Sequence, residues 1–130
     1  MARLAYLDDR DHPRLLPVTY ALAGGCIWSA IDHKPKRAAE PARLRYLRRR
    51  PEAAVCVDHF EEDWTRLAWV QLIGTVDVIG ADDGRFGLDA LVARYEQYRE
   101  REPGGPLLRL TPERALCWRA SDPPKTKADR

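Results

Sequence analysis

The residues best suited to chemistry in this sequence are the basic side chains between Lys34 and Arg50. This stretch holds eight lysines and arginines against one acid, Glu40, and carries a formal charge of +7, whereas the whole chain carries only +2. Lysine and arginine hold phosphate groups through charge-assisted hydrogen bonds. A local basic patch on an otherwise acidic chain indicates a discrete anionic ligand, and the alternative interpretation is a solvated basic helix.

The basic stretch starts where an apolar strand is predicted to end. Residues 26–32 (CIWSAID) have the composition of a strand, and Pro35 in the following DHKPKR breaks it. Pro41 suits a first helical turn, and a short helix is predicted over residues 40–49, stopped by Pro51. A helix N-terminus adds partial positive charge and free N–H groups. A ligand with a phosphate at one end and an extended anionic tail would match this arrangement.

No other motif indicates a catalytic or metal site. The three cysteines, Cys26, Cys56 and Cys117, lie in apolar strand-like runs, which predicts buried, reduced thiols in a reducing compartment. Cys56 and His59 are three residues apart on a predicted strand and so point to opposite faces, and no metal-ligand spacing is present. Without a long apolar run or a leader peptide, we expect a cytoplasmic protein that does not enter membranes.

The elements that must position the basic stretch are mostly strands. Residues 67–79 alternate, with small or apolar residues at the even positions, and Gly24-Gly25 is a two-residue hairpin signal. A helix is predicted over residues 84–101, and a polar, disordered tail over residues 121–130. The pattern predicts a mainly β (α+β) domain over residues 1–120, an antiparallel barrel with flanking helices, with strands at 3–7, 15–22, 26–32, 53–60, 67–79, 107–110 and 114–119.

Several segments, taken in order and spacing, resemble one protein family. They are LLPVTYAL, GGCIWSAIDHKPKR, LRYLRRRPEAAVCVDHF, DWTRLAWVQLIGTVDVI and ARYEQYRE. Together they resemble the pyridoxamine 5'-phosphate oxidase-like split β-barrel superfamily, and within it the deazaflavin-dependent (coenzyme F420) oxidoreductases. Relatives usually begin with a helix before the first strand, which could help to cover the site or the dimer, whereas this chain opens on ARLAYLD.

The resemblance implies a six-stranded antiparallel split β-barrel of the FMN-binding type, assembled as a homodimer with the cofactor at the interface. Pro17, Val18, Thr19, Ala30, Ile31 and Asp32 would line the cofactor ring, Lys34, Lys36 and Arg37 would bind its phosphate, and Trp69 would reach across from the partner subunit. Arginines of the basic helix would meet the anionic tail.

The implied activity is hydride transfer from reduced coenzyme F420 to a small-molecule acceptor. The cofactor carries the chemistry, so no catalytic residue is assigned, and the candidates for a proton donor are His33, Tyr20 and solvent. The first alternative is an FMN-dependent oxidoreductase of the same fold. The second is a non-catalytic binder of the cofactor or of another anion. Nucleic acid is disfavoured because the cations cluster in one segment and the rest of the chain is acidic.

Overall fold

The fold is one antiparallel sheet with three helices, seen in a computed structural model that describes residues 1–31 and 40–120. The sheet has seven strands in the order β2-β1-β5-β6-β7-β4-β3. The strands are β1 (Ala2–Leu7), β2 (Pro13–Val18), β3 (Ala21–Ala23), β4 (Cys26–Ala30), β5 (Glu52–His59), β6 (Ala68–Ile79) and β7 (Leu107–Arg119). The helices are α1 (Ala42–Arg49), α2 (Arg85–Arg94) and α3 (Glu96–Glu100), and a 3-10 turn spans Trp64–Arg66.

The resemblance implied six strands, and this number was wrong. The seven observed strands also differ from the seven predicted segments, because the segment predicted at residues 15–22 is interrupted. Residues up to Val18 pair with β1, whereas residues from Ala21 onward pair with β4. The segments predicted at 107–110 and 114–119, by contrast, form one strand. Pro112 lies opposite Gly74 where the register shifts, and such an irregularity accommodates a proline that has no N–H to donate.

The sheet curls because its two edge strands follow one another in the sequence. Only Thr19 and Tyr20 separate β2 from β3, and a link of this length spans roughly 11 Å between the flanking Cα atoms. The hydrogen-bonded ladder stays open between these edges, but the two ends of the sheet are held near each other. One buried cluster accordingly contains Val18 of β2 together with Ile27 of β4.

The inner face of the curled sheet forms the main core. Leu4, Val55 and Leu72 lie opposite one another across β1, β5 and β6. In each of these strands, therefore, every second side chain points inward. Leu44 and Leu47 of α1 are fully buried in the same cluster. Removing a leucine side chain of this size from water contributes roughly 1.5–3 kcal/mol. The basic helix is therefore anchored by two leucines, as their spacing predicts.

A second core lies between the outer side of β4 and the α2–α3 pair. Trp28, Leu88 and Leu91 are buried there with Leu107. The helix predicted over residues 84–101 is divided into α2 and α3 by Tyr95, whose backbone is extended at φ −113° and ψ 120°. No helix in the described ranges is long and apolar enough to cross a membrane.

Gly87 allows α2 to lie directly on Trp28. A Cβ atom at this glycine would sit 1.9 Å from the indole Cδ2. We expect Gly87→Ala to lower the free energy of unfolding by about 1–3 kcal/mol through overpacking, despite the better helix propensity of alanine. Urea unfolding followed by tryptophan fluorescence measures this. Gly80→Ala, where an added Cβ meets nothing within 4 Å, is the control. Equal stability of the two variants would contradict the packing argument.

Candidate cofactor-binding site

The predicted phosphate ligands fall outside the part of the chain that the structure describes. Asp32, Lys34, Lys36 and Arg37 all lie in residues 32–39. The described chain resumes at Glu40, and α1 begins two residues later. The assignment of these four residues therefore stays a prediction.

The arginines at the end of α1 are largely paired within the chain. Arg48 donates to both carboxylate oxygens of Glu40, at 2.8 and 2.9 Å, and this contact lowers the pKa of Glu40. Arg49 and Arg50 both lie within ion-pair distance of Asp11, at 3.6 and 2.6 Å. Such exposed pairs contribute little to stability, but they reduce the charge that is free for a ligand.

Two arginines of α1 have no acidic partner among residues 1–31 and 40–120. Arg45 stacks its guanidinium 5.0 Å from the ring centre of Tyr46, and the Nε of Arg43 is buried without a hydrogen bond. These are the cations of the described helix that remain available to an anionic group. The charge pattern alone did not distinguish them from their paired neighbours.

Three of the predicted ring-lining residues have their side chains in the hydrophobic cores. Val18 and Ile31 belong to the inner core, and Ala30 belongs to the cluster under α2. Their side chains pack against the protein, so only their backbone atoms are available to a ligand. Sequence alternation had placed Val18 on the core face, and the structure agrees.

Thr19 is the predicted ring-lining residue whose side chain makes a defined polar contact. Its hydroxyl oxygen lies 2.7 Å from the hydroxyl of Tyr98. A cavity of about 350 Å³ opens beside it, lined by Met1, Thr19, Tyr95, Gln97 and Tyr98. We call this the Thr19 cavity. No local signal in ARYEQYRE shows that Tyr95 and Tyr98 reach residues 19–20.

Trp69 lies in a different place, on the outer face of the sheet. It is half-buried opposite Asp58 on one side and Trp118 on the other. A second cavity of about 380 Å³ is lined there by Arg3, Cys56, Asp58, His59, Phe60, Leu67, Ala68, Trp69 and Trp118. This Trp69 cavity shares no lining residue with the Thr19 cavity. The structure therefore does not bring Trp69 together with the other predicted residues within one chain.

Pro17 and Trp69 nevertheless lie on the same face of the sheet. Pro17 lies opposite Arg3, Arg3 opposite Cys56, and Cys56 opposite Gln71, and residues opposite one another share a face. Three strand spacings separate the ends of this row, roughly 14 Å. We call this surface the open face. Its outward side chains are Arg3, Ala5, Leu15, Pro17, Ala54, Cys56, Asp58, Trp69, Gln71, Ile73, Arg114, Leu116 and Trp118.

The open face is mostly apolar and half-exposed. Leu15 is 67% exposed, and Ala54, Ile73 and Leu116 are intermediate. Arg3 and Asp58 pair on this face, with Arg3 donating at 2.9 Å, and the exposed Arg114 adds a further charge at its edge. The helices pack elsewhere, with α1 in the inner core and α2 against β3 and β4. A surface of this kind is typical of a protein–protein interface.

The three cysteines are not joined in disulfides, and their burial differs from the prediction. Cys26 and Cys56 are half-buried, but Cys117 is exposed, so the expectation of three buried cysteines was wrong. Burial, and secondarily the carboxylate of Asp58, raises the pKa of the Cys56 thiol. In the described ranges no group of three or more His, Cys, Asp and Glu residues could hold a metal ion.

Comparisons with known proteins identify the fold. No model of a known protein family matches the chain, and no curated protein matches it. Among solved structures, the conserved hypothetical protein Rv2991 from Mycobacterium tuberculosis superposes with a TM-score of 0.74 at 17% identity, covering 96% of this chain and 82% of its own. A FAD-binding protein from Mesorhizobium loti gives 0.66 at 18% identity, covering 89% and 83%.

A third solved structure links the fold to the family that the sequence resembles. A protein from Listeria innocua, provisionally assigned as a pyridoxamine 5'-phosphate oxidase, superposes with a TM-score of 0.60 at 13% identity, covering 89% of this chain and 86% of its own. At such identities the likeness concerns the fold alone. The chain has the fold of the pyridoxamine 5'-phosphate oxidase-like split barrels, and the comparisons do not extend to the deazaflavin branch.

The raised pKa of Cys56 leads to a prediction about its reactivity. The thiolate is the reactive form, and a raised pKa leaves less of it at neutral pH. We expect iodoacetamide to modify Cys117 first at pH 7, and the rate at Cys56 to keep rising above the ordinary thiol pKa. Peptide mass spectrometry over a pH series measures both rates, with Cys56→Ser confirming the peptide assignment. Equally fast modification of the two thiols at pH 7 would contradict this.

Proposed function

We propose that this chain is one subunit of a homodimeric oxidoreductase that binds reduced coenzyme F420 at the subunit interface and transfers hydride to a small-molecule acceptor. The observation that carries the proposal is the open face, which runs from Pro17 to Trp69 across the split-barrel sheet. A second copy that covers this face would bring Trp69 of one subunit towards residues 17–19 of the other. The interface would then complete a site that a single chain leaves in two parts.

The available groups suit a planar ring with a phosphate-bearing side chain. Near the ring they are backbone atoms of residues 17–19 and 30–31 and the Thr19 hydroxyl, none of which carries a charge. Near the phosphate they are the predicted cations Lys34, Lys36 and Arg37. Neutral hydrogen-bonding groups fit a heterocycle, and clustered cations fit a phosphate.

The protein's part in such a reaction is binding, orientation and exclusion of water. When bound, the deazaflavin supplies the hydride. The residues around Thr19 would hold the ring edge, and the half-buried Trp69 and Trp118 of the open face would exclude water once the face is covered. The described residues that line the Thr19 cavity include no carboxylate or imidazole. A proton for the acceptor would therefore come from solvent, from Tyr20, or from His33, whose role as a donor is a prediction from the sequence.

The alternative cofactor is FMN, bound in the same way. The FAD-binding protein of the same fold supports a flavin. Arg43 and Arg45 support coenzyme F420, because they are cations without acidic partners in the described chain, suited to an anionic tail. Titrating the purified protein with each cofactor, followed by visible absorbance, tests the choice. Tight binding without turnover on any acceptor would instead support a cofactor-binding protein that is not an enzyme.

Lys36 is the predicted phosphate ligand on which we make a quantitative prediction. Replacing it with alanine removes a charge-assisted hydrogen bond, so Lys36→Ala should weaken cofactor binding by about 1.5–3 kcal/mol. Isothermal titration calorimetry with the preferred cofactor measures this. Arg101→Ala removes an exposed charge after α3 and is the matched control. If Lys36→Ala bound the cofactor as tightly as the wild type, Lys36 would not be a phosphate ligand.

The dimer is tested by placing a charge on the open face. Leu116 is a half-buried residue of that face, and burying an unpaired carboxylate in an interface is strongly unfavourable. We expect Leu116→Glu to be monomeric and to bind the cofactor at least about ten times more weakly, as judged by sedimentation velocity and titration. Phe86→Glu changes an exposed apolar residue of α2, away from the open face, and should leave the dimer intact. A dimeric Leu116→Glu would argue for another interface.

A further inference from the structure

The interruption between β2 and β3 is held in place by two tyrosines from the helices. The hydroxyl of Tyr95 accepts a hydrogen bond from the backbone N–H of Tyr20 at 3.0 Å and donates to the backbone carbonyl of the same residue at 3.1 Å. The hydroxyl of Tyr98 lies 2.7 Å from the Thr19 hydroxyl. Both residues of the interruption are thus bonded to the α2–α3 region, about 75 residues later in the chain.

These contacts satisfy groups that the sheet leaves without a ladder partner. A strand that leaves one neighbour for another has to pass through residues whose backbone groups pair with neither. At Tyr20 a single phenol hydroxyl replaces both missing partners. Tyr95 can serve in this way because it lies in extended conformation between α2 and α3.

The tyrosines themselves are fixed by their surroundings. Tyr98 is buried in the second core, between β4 and the α2–α3 pair. Its ring contacts that of Tyr95 edge to face, with 5.4 Å between the ring centroids. The guanidinium of Arg94 lies 4.0 Å from the ring centre of Tyr20 and 5.4 Å from that of Tyr95. Side chains locked by packing hold their hydrogen-bond partners in one geometry.

We propose that Tyr95 and Tyr98 are positioning residues that set the Thr19 hydroxyl and the neighbouring backbone against the cofactor ring. The inference rests on the proposed function, because it takes Thr19 as a ring contact. When Tyr98 donates to Thr19, the Thr19 hydroxyl keeps its own proton to donate to an acceptor on the ring. The tyrosines act through residues 19–20 and need not touch the cofactor.

The experiment compares Tyr95→Phe, Tyr98→Phe and Tyr6→Phe in the full chain. Each variant loses one hydroxyl, and Tyr6 is a buried control on the inner face. The probes are coenzyme F420 and FMN, titrated separately. We expect about 3- to 10-fold weaker binding for Tyr98→Phe, at least as large a loss for Tyr95→Phe, and unchanged affinity for Tyr6→Phe.

A double-mutant cycle separates positioning from a general loss of structure. If Tyr98 acts through Thr19, adding Tyr98→Phe to Thr19→Val should cause no further loss of affinity. Thr19→Ser keeps the hydroxyl and should therefore lose less affinity than Thr19→Val. Additive losses in the cycle, or unchanged affinity in both Tyr95→Phe and Tyr98→Phe, would overturn the inference.

Hydrogen exchange tests the contact independently of the cofactor. The Tyr20 amide should exchange more rapidly in Tyr95→Phe than in the wild type, and an unchanged rate would overturn the inference even where the wild type binds cofactor. A wild-type protein that binds neither cofactor would instead overturn the proposed function, and the role for Tyr95 and Tyr98 with it. The two failures are distinguishable because the second appears without any substitution.

Discussion

The structure depends on the interruption of one extended segment at Thr19 and Tyr20. Before it, the chain pairs with β1; after it, the chain pairs with β4, and these strands lie near opposite ends of the sheet order. A continuous strand could not satisfy both neighbours. The interruption thereby curls the sheet around the inner core, and it removes the ladder pairing of two residues, which the Tyr95 hydroxyl replaces at Tyr20.

The charge of the basic stretch divides between structure and ligand. Arg48, Arg49 and Arg50 lie at the C-terminal end of α1, where cations complement the helix dipole, and each has an acidic partner. That part of the excess charge is explained by the helix and its ion pairs. Lys34, Lys36 and Arg37, with Arg43 and Arg45, make up the remaining charge, and they lie in or after the segment where a phosphate was expected. The alternative of a solvated basic helix therefore suits Arg48, Arg49 and Arg50, and a role of the other five cations in phosphate binding stays a prediction.

Local patterns in the sequence were enough to predict many of the elements. The Gly24-Gly25 hairpin is confirmed, with φ values of 60° and 74° that suit glycine, and the spacing of Leu44 and Leu47 identified the buried side of α1. The interruption at residues 19–20 and the division of the second helix at Tyr95 were missed. The two positions meet in one contact between residues 75 apart, and neither side of that contact has a pattern of its own. The exposure of Cys117 was missed for a similar reason, because alternation shows which residues share a face but not how far the core extends along it.

The two parts of the candidate site lie apart within one chain. Pro17 and Trp69 share the open face, yet three strand spacings separate them, and the Thr19 and Trp69 cavities have no lining residue in common. The two cavities do not form one site within a single chain, and the proposed homodimer is an arrangement in which one ligand would touch both. Two-fold pairing through one face sets each subunit's surface against the same surface of its copy. Under that symmetry the distance between Pro17 and Trp69 within a chain is no obstacle, since each subunit would supply one part of each of two equivalent sites.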